Sequence, residues 1–252
     1  LEWTQSNPGG VVSLPTGKTP EYFIRFVQHF LNGWNDKAVV KDLEANGIDP
    51  SVKPDVGSLR FVQIDEFYPM DPAHNNSFYH FIDRFYMEGF GLKRENALLI
   101  DGTEIGMPDG WDLDSVWPDG SVDLSLRIRH PMTKLERVQK DVLEAVDQWC
   151  FDYDEKIRAM GGIGFFLGGI GPDGHIAFNI MGSDHHTTTR LTHINYETQA
   201  AAAGDLGGIE VAKKRHAITI GLETIAYNRD CTALIIAAGE AKAKVVARAV
   251  QE

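Results

Sequence analysis

The run Gly168-Gly-Ile-Gly-Pro-Asp-Gly-His-Ile-Ala-Phe-Asn179 follows the apolar stretch 163–167 and contains an acid and a histidine two positions apart. Glycines permit the close backbone approach that an anionic ligand needs. Asp173 and His175 supply proton-transfer groups beside such a ligand, and histidine titrates near neutral pH. A loop of this kind directly after an apolar strand predicts that ligand binding and proton transfer share one segment.

The rest of the chain alternates between strand and helix patterns. This alternation predicts an α/β fold with a mostly parallel central sheet and helices on both faces, in which ligands bind beyond the carboxyl ends of the strands. Apolar, β-branched runs predict strands at 11–14, 59–64, 97–100, 163–167, 217–220 and 233–237. Helical periodicity occurs at 20–31, 36–46, 78–86, 134–160 and 241–250.

No break in composition divides residues 1–252, so we interpret them as a single domain. The chain opens at Leu1 close to its first strand and stops inside a helical pattern, and we therefore expect a piece of a longer polypeptide, truncated at both ends. The 24 basic and 36 acidic residues give a net charge of −12, which argues against a broad nucleic-acid or anionic-membrane surface. The two cysteines form no disulfide framework, and no apolar span approaches ~20 residues, so the prediction is a cytoplasmic protein.

A second informative loop, Thr16-Gly17-Lys18-Thr19, lies between the first predicted strand and the first helix. Unpaired N–H groups and the helix dipole favour an anion at such a position. A nucleotide P-loop would require glycine at position 12, where Val12 stands. The phosphate of a small metabolite is the favoured ligand, and a plain strand-to-helix turn is the alternative.

The third loop begins with Asp65-Glu66 at the end of the strand 59–64. Two adjacent acids at this position either face solvent and cap the next element, or include a carboxylate tuned toward general-base duty by its aromatic neighbours. The residues alone leave both interpretations open.

The loop 168–179 also matches the dinucleotide fingerprint formally, but Pro172 and the polar stretch 183–187 do not fit its crossover helix. Metal ligation is an alternative because histidines and acids are frequent between 173 and 193. No helical i, i+4 histidine pair with a separate base occurs, so loop histidines in water are the preferred interpretation and we predict no metal site.

At these loops the chain resembles the glucosamine-6-phosphate deaminase/isomerase family, which is related to the 6-phosphogluconolactonases. The resemblance implies a modified Rossmann-like fold, no redox cofactor, a hexose 6-phosphate substrate, and a place in amino-sugar metabolism, with a homo-oligomer as a compatible state. The matching segments are Leu14-Pro-Thr-Gly17, Asp65-Glu66, Tyr153-Asp-Glu-Lys-Ile157, the loop 169–179, Ala217-Ile-Thr-Ile-Gly221 and Gly239-Glu-Ala-Lys242.

The resemblance also implies roles for individual residues. Asp65 matches the base that moves a proton between C2 and C1 of the opened sugar, His175 the group that opens the pyranose ring, and Asp173 its orienting carboxylate. The expected contacts to phosphate and sugar come from Thr16, Gly17, Lys18, Thr19, Glu66, Gly171 and Lys242.

The chain departs from the family pattern at several positions. Ile180 stands where a relay glutamate follows the histidine loop, Gly204 where an arginine contacts phosphate, and Thr192 where an allosteric lysine is usual. An extra segment, about 106–129, contains Trp111 and Trp117 and is either a lid or a solvated insertion, with its length favouring binding or assembly. A deaminase/isomerase is therefore the first interpretation; a lactonase-type hydrolase and a catalytically weakened sugar-phosphate-binding domain are the alternatives.

Overall fold

Five of the predicted strands form one parallel sheet in the computed structural model, which describes residues 1–251. Its strands are β1 (Val11–Ser13), β2 (Arg60–Val62), β4 (Ala97–Leu98), β5 (Phe165–Gly169) and β8 (Thr232–Ile236). Their order across the sheet is β4-β2-β1-β5-β8, and each neighbouring pair is parallel. The prediction of a mostly parallel central sheet is confirmed.

Helices cover both faces of this sheet, because consecutive strand residues point to opposite sides. Val11 and Val62 pack in one cluster with α6, whereas Val12 and Phe61 pack in another with α2 and the helix that follows Ser77. The helices are α1 (Glu2–Ser6), α2 (Glu21–Asn32), α3 (Lys37–Ala45), α4 (Phe78–Ile82), α5 (Leu113–Val116), α6 (Lys134–Ala159), α7 (Tyr196–Ala202), α8 (Ile209–Ala212), α9 (Leu222–Ala226) and α10 (Ala243–Gln251).

The predicted helices were found with small shifts at their ends. The predicted helix 78–86 divides into α4 and the π-helical turns Asp83–Glu88. The predicted helix 241–250 begins as the 3₁₀ turn Glu240–Lys242 before α10, and Glu252 lies outside the described residues. Along the part of the chain that the structure describes, every helix is too short or too polar to cross a membrane.

One predicted strand lies in a different sheet. The run 217–220 forms β7 (His216–Thr219), which pairs antiparallel with β3 (Asp65–Tyr68) and β6 (Arg190–His193), two strands that sequence reasoning missed. Every residue of β7 is buried, and such a strand resembles a central parallel strand in its sequence pattern. The second sheet joins the first where the chain leaves β2, and the Ile220 N–H donates to the Ile64 carbonyl at 3.0 Å.

The extra segment 106–129 is not a solvated insertion. Trp117 is 1% exposed and packs in the cluster that contains Val142 and Leu143 of α6. Its indole N–H donates to the Tyr68 hydroxyl at 3.2 Å, which ties the segment to β3. The segment therefore extends the hydrophobic core under the second sheet.

Two buried polar side chains of α6 connect the sheets. The Tyr153 hydroxyl lies 2.8 Å from the Gln63 carbonyl and 3.0 Å from the Leu98 carbonyl. The Asp154 carboxylate accepts bonds from the Thr189 N–H at 2.8 Å and from the Thr224 hydroxyl at 2.8 Å. Since buried polar groups stabilise a fold only when they are paired, these bonds fix the position of α6 against both sheets.

His216 at the start of β7 is a buried histidine whose two ring nitrogens have no hydrogen-bond partner among the described residues. Its ring centroid lies 4.5 Å from that of His193 on β6. Burial, with a further contribution from the His193 charge, lowers the pKa of His216 from 6.5 to about 4. The neutral form therefore fits the native structure better than the charged form.

We expect the free energy of unfolding to fall as the pH decreases from about 6.5 to about 4, because unfolded His216 binds a proton that native His216 does not. The full loss is ~3 kcal/mol. His216→Leu should remove this part of the pH dependence, whereas the exposed-site variant His185→Gln should retain it. Urea unfolding at a series of pH values measures both, and an unchanged profile in His216→Leu would contradict the assignment.

Candidate active site

A cavity of about 240 Å³ opens at the carboxyl ends of β1, β2 and β5. We call it the Asp65 cavity. It brings together residues from the three loops singled out by sequence and from the 3₁₀ turn after β8. Among the residues that line it are Thr16, Thr19, Asp65, Gly171, His175 and Lys242.

Asp65 is the first residue of β3 and stands where the two sheets meet. The Gln63 side chain holds this corner: its amide group donates to the Asp65 carbonyl at 2.8 Å and accepts from the Ile100 N–H at 2.8 Å. Burial raises the pKa of Asp65 to about 8, and the charge of Glu66 adds to the rise. A carboxylate with this pKa is a stronger base than an ordinary aspartate.

Asp173 and His175 form a hydrogen-bonded pair beside this base. The Asp173 Oδ1 lies 2.5 Å from the His175 Nδ1, and both side chains are mostly buried. Burial alone raises the pKa of Asp173, but the His175 charge and a bond from Asn195 outweigh burial, so the pKa lies below its ordinary value. An ionised Asp173 orients the Nδ1 side of the imidazole and leaves Nε2 available to a ligand.

The backbone of the loop is shaped so that the imidazole can lie against it. A Cβ atom at position 171 would lie 2.1–2.4 Å from ring atoms of His175, so only glycine fits there. Ala177 adopts φ 53°, a left-handed conformation that is uncommon outside glycine. Asn179 secures the turn, since its side-chain amide donates to the Ile220 carbonyl at 2.9 Å and its Oδ1 accepts from Arg190 at 2.8 Å.

The loop between β1 and α2 directs its two threonines and its lysine differently. Thr16 and Thr19 line the Asp65 cavity, as does Lys242, whereas Lys18 is 89% exposed and pairs with Asp205 at 3.7 Å. Partial burial lowers the pKa of Lys242, and the charge of Asp173 opposes this shift. Lys242 is therefore the cation within the cavity, and Lys18 lies at its margin.

Glu66 does not line the cavity and has a structural role. Its side chain is buried, and its oxygens accept bonds from the Ser77 hydroxyl at 2.7 Å and the Tyr79 N–H at 2.8 Å, which fixes the start of α4. Burial raises the pKa of Glu66 to about 7, and these hydrogen bonds oppose the rise. The expected sugar contact from Glu66 is thus replaced by a contact to α4, because consecutive residues of β3 point to opposite faces.

A larger groove of about 760 Å³ adjoins the Asp65 cavity and shares Thr16, Phe78, His175 and Phe178 with it. We call it the phenylalanine groove. Its remaining walls include α2 and α7, and Gly17 and Lys18 lie on its rim. No described residue of 106–129 lines the cavity or the groove, so the lid interpretation of that segment stays a prediction without support from the site geometry. Ile180 is 40% exposed and lines neither space.

Sequence reasoning assigned no role to Asn195 and Thr198, which contact the Asp173–His175 pair. Asparagine is a favoured N-cap residue, and Asn195 does accept from the Thr198 N–H as the N-cap of α7. That signal predicts the helix but not the contact with residue 173. Within residues 1–251, no group of three His, Cys, Asp or Glu side chains is placed to hold a metal ion.

No protein-family model matches the chain. A glucosamine-6-phosphate isomerase from Candida albicans is 37% identical over 226 residues, which cover 90% of this chain and 68% of that protein. The chain spans only 38–55% of the length of three further curated glucosamine-6-phosphate deaminases that it matches.

Two solved structures share the fold. A monomeric glucosamine-6-phosphate deaminase superposes with a TM-score of 0.64 at 20% identity, over 96% of this chain and 76% of that one. A 6-phosphogluconolactonase from Leishmania guyanensis gives a TM-score of 0.54 at 15% identity, over 96% and 74%. Together with the identity to the Candida protein, the site motifs place this chain in the glucosamine-6-phosphate deaminase/isomerase family.

Proposed function

We propose that the chain converts glucosamine 6-phosphate and water into fructose 6-phosphate and ammonia. One observation carries the proposal: a carboxylate with a raised pKa and a histidine paired through Nδ1 with a second carboxylate line the same cavity as Thr16, Thr19 and Lys242. The phosphate contacts come from Thr16, Thr19 and Lys242. A hexose bound there by its 6-phosphate has Asp65 and His175 as its proton-transfer partners.

The reaction requires two kinds of proton transfer. In ring opening the C1–O5 bond breaks, O5 gains a proton through His175, and the C1 hydroxyl loses one to give the aldehyde. Asp65 then removes the C2 proton and returns a proton to C1, while the nitrogen gives up one proton and O1 gains one. C1 thereby becomes a CH2OH group and C2 an imine. Water adds to C2 and ammonia departs, so the atoms balance without an oxidant or reductant.

Asp65 separates this function from the alternatives. Hydrolysis of a lactone needs a water activated by a histidine but no base at C2. A sugar-phosphate-binding domain needs only the loop 16–19 that would bind the phosphate. Of the three functions, only this one removes a carbon-bound proton. A base with the raised pKa that burial gives Asp65 suits that step. The absence of a carboxylate at Ile180 is the feature that favours a weakened binding domain.

The chain's location and assembly are part of the same proposal. Both cysteines are free thiols, which supports a reducing, cytoplasmic compartment. Tyr22 and Phe26 are exposed one turn apart on α2, and such an apolar pair supports contact between copies in a homo-oligomer.

The first test is release of ammonia from glucosamine 6-phosphate by the purified chain. Asp65→Asn should lower kcat/KM by about 10²–10⁴-fold, because the amide cannot accept a proton. In the wild-type protein, kcat/KM should rise with pH and level off above about 8, where Asp65 is ionised. Asp184→Asn, an exposed acid that lines neither the cavity nor the groove, serves as the control. Ammonia release by Asp65→Asn at the wild-type rate would exclude this role.

A second prediction distinguishes the two lysines. Lys242→Met should raise KM by about 10-fold or more, because a charge-assisted bond to phosphate is lost. Lys18→Met should change KM by less than about 3-fold, since the exposed Lys18 contributes mainly an ion pair with Asp205. Steady-state kinetics of both variants give the answer. Equal increases in KM for Lys242→Met and Lys18→Met would place the phosphate on the margin of the cavity.

A further inference from the structure

The first turn of α7 lies against the Asp173–His175 pair. The Asn195 side-chain amide donates to the Asp173 Oδ2 at 2.5 Å, while the other oxygen of that carboxylate faces the His175 Nδ1 at 2.5 Å. The Thr198 hydroxyl lies 3.3 Å from the same Nδ1, and Thr198 is buried. Four side chains thus form a continuous hydrogen-bonded chain from α7 to the imidazole.

The polarity of this chain is fixed by its chemistry. The Asn195 Oδ1 accepts the Thr198 N–H at 3.0 Å, so the NH₂ group of Asn195 is the end that faces Asp173. An ionised Asp173 has no hydrogen to donate, so it accepts at both oxygens: from the Asn195 amide at Oδ2 and from the His175 Nδ1–H at Oδ1. His175 is then in the Nδ1–H tautomer, with the lone pair of Nε2 directed away from the pair.

We infer that Asn195 and Thr198 are positioning residues for this reaction: α7 holds Asp173 and the Nδ1 side of His175, and thereby selects the tautomer that opens the sugar ring. The inference rests on the proposed function for the ring-opening step alone; the tautomer itself is a property of the free protein. The other charged groups near the pair are Lys242, whose charge acts on Asp173, and Asp65 in the same cavity.

The α7 segment is also attached to the substrate-binding side of the molecule. Thr198, Ala201 and Ala202 line the phenylalanine groove. Asp205, just beyond α7, forms an ion pair with Lys18 of the loop 16–19. The backbone carbonyl of Asp205 accepts a hydrogen bond from the Asn76 side-chain amide. A ligand that contacts α7 in the groove therefore contacts the element that orients His175.

The test uses substitutions that keep the N-cap. Serine, aspartate and asparagine are similar N-cap residues, so both Asn195→Ser and Asn195→Asp preserve the start of α7. Asn195→Ser removes the amide donor to Asp173, and Asn195→Asp replaces it with a second carboxylate. Thr198→Val removes the hydroxyl, and Thr198→Ser restores it. Gln199→Ala is the matched control, because its side chain donates to the Ile194 carbonyl at 3.0 Å on the same helix without contacting the pair.

Nitrogen-15 histidine NMR of the substrate-free protein reads the tautomer directly. Wild-type protein and Gln199→Ala should show His175 with a protonated Nδ1, and both Asn195 variants should show a mixture of tautomers. An Nε2–H tautomer in the wild-type protein, or an unchanged spectrum in Asn195→Ser, would overturn the inference. These outcomes do not depend on which substrate the chain uses.

Kinetics add a second measurement. Asn195→Ser and Asn195→Asp should lower kcat about 10-fold or more with little change in KM, because the substrate phosphate still binds while His175 is less well oriented. Thr198→Val should show a smaller loss that Thr198→Ser reverses. A drop in kcat in Asn195→Ser with an unchanged His175 NMR spectrum would assign Asn195 a purely structural role and overturn the inference. An inactive wild-type protein with the expected NMR spectrum would instead reject the proposed function.

Discussion

The attachment of Asn179 to the second sheet is the constraint on which the site depends. The Asn179 side-chain amide donates a hydrogen bond to the Ile220 carbonyl and accepts one from Arg190. These bonds require the chain after β5 to turn back within residues 171–179. The turn requires the left-handed backbone at Ala177 and the missing Cβ at Gly171. Because the fold fixes these positions, His175 faces the cavity before any ligand binds, and the cost of orienting it during the reaction is small.

The fold could be predicted from the sequence wherever a strand is apolar, short and followed by a periodic helix. The parallel sheet and helices α2, α3 and α6 follow from local patterns alone. The second sheet could not be predicted, because β3 contains Asp65 and Glu66 and β6 contains Arg190 and His193, which break the apolar pattern. Pairing between β3 and β7 depends on contacts between residues 65 and 219, which no local window contains.

The candidate site could likewise be predicted from the sequence only in part. Loops that leave parallel strands meet at one edge, so Thr16, Asp65 and His175 were expected to lie together, and they line one cavity. The opposite directions of Asp65 and Glu66 depend on the strand register, and the different environments of Lys18 and Lys242 depend on tertiary packing. Asn195 contacts Asp173 across 22 positions of sequence, so only the folded chain brings it to the site.

The central claim is that Asp65 moves a proton on carbon while His175 moves protons on oxygen. Proton NMR of glucosamine 6-phosphate incubated with the protein in D₂O tests it most directly. The account predicts that wild-type protein exchanges the C2 hydrogen for deuterium and delivers deuterium to C1 of the product, and that Asp65→Asn still opens the ring but loses this exchange. Retained exchange in Asp65→Asn, or a wild-type protein that hydrolyses 6-phosphogluconolactone without exchanging C2, would contradict it.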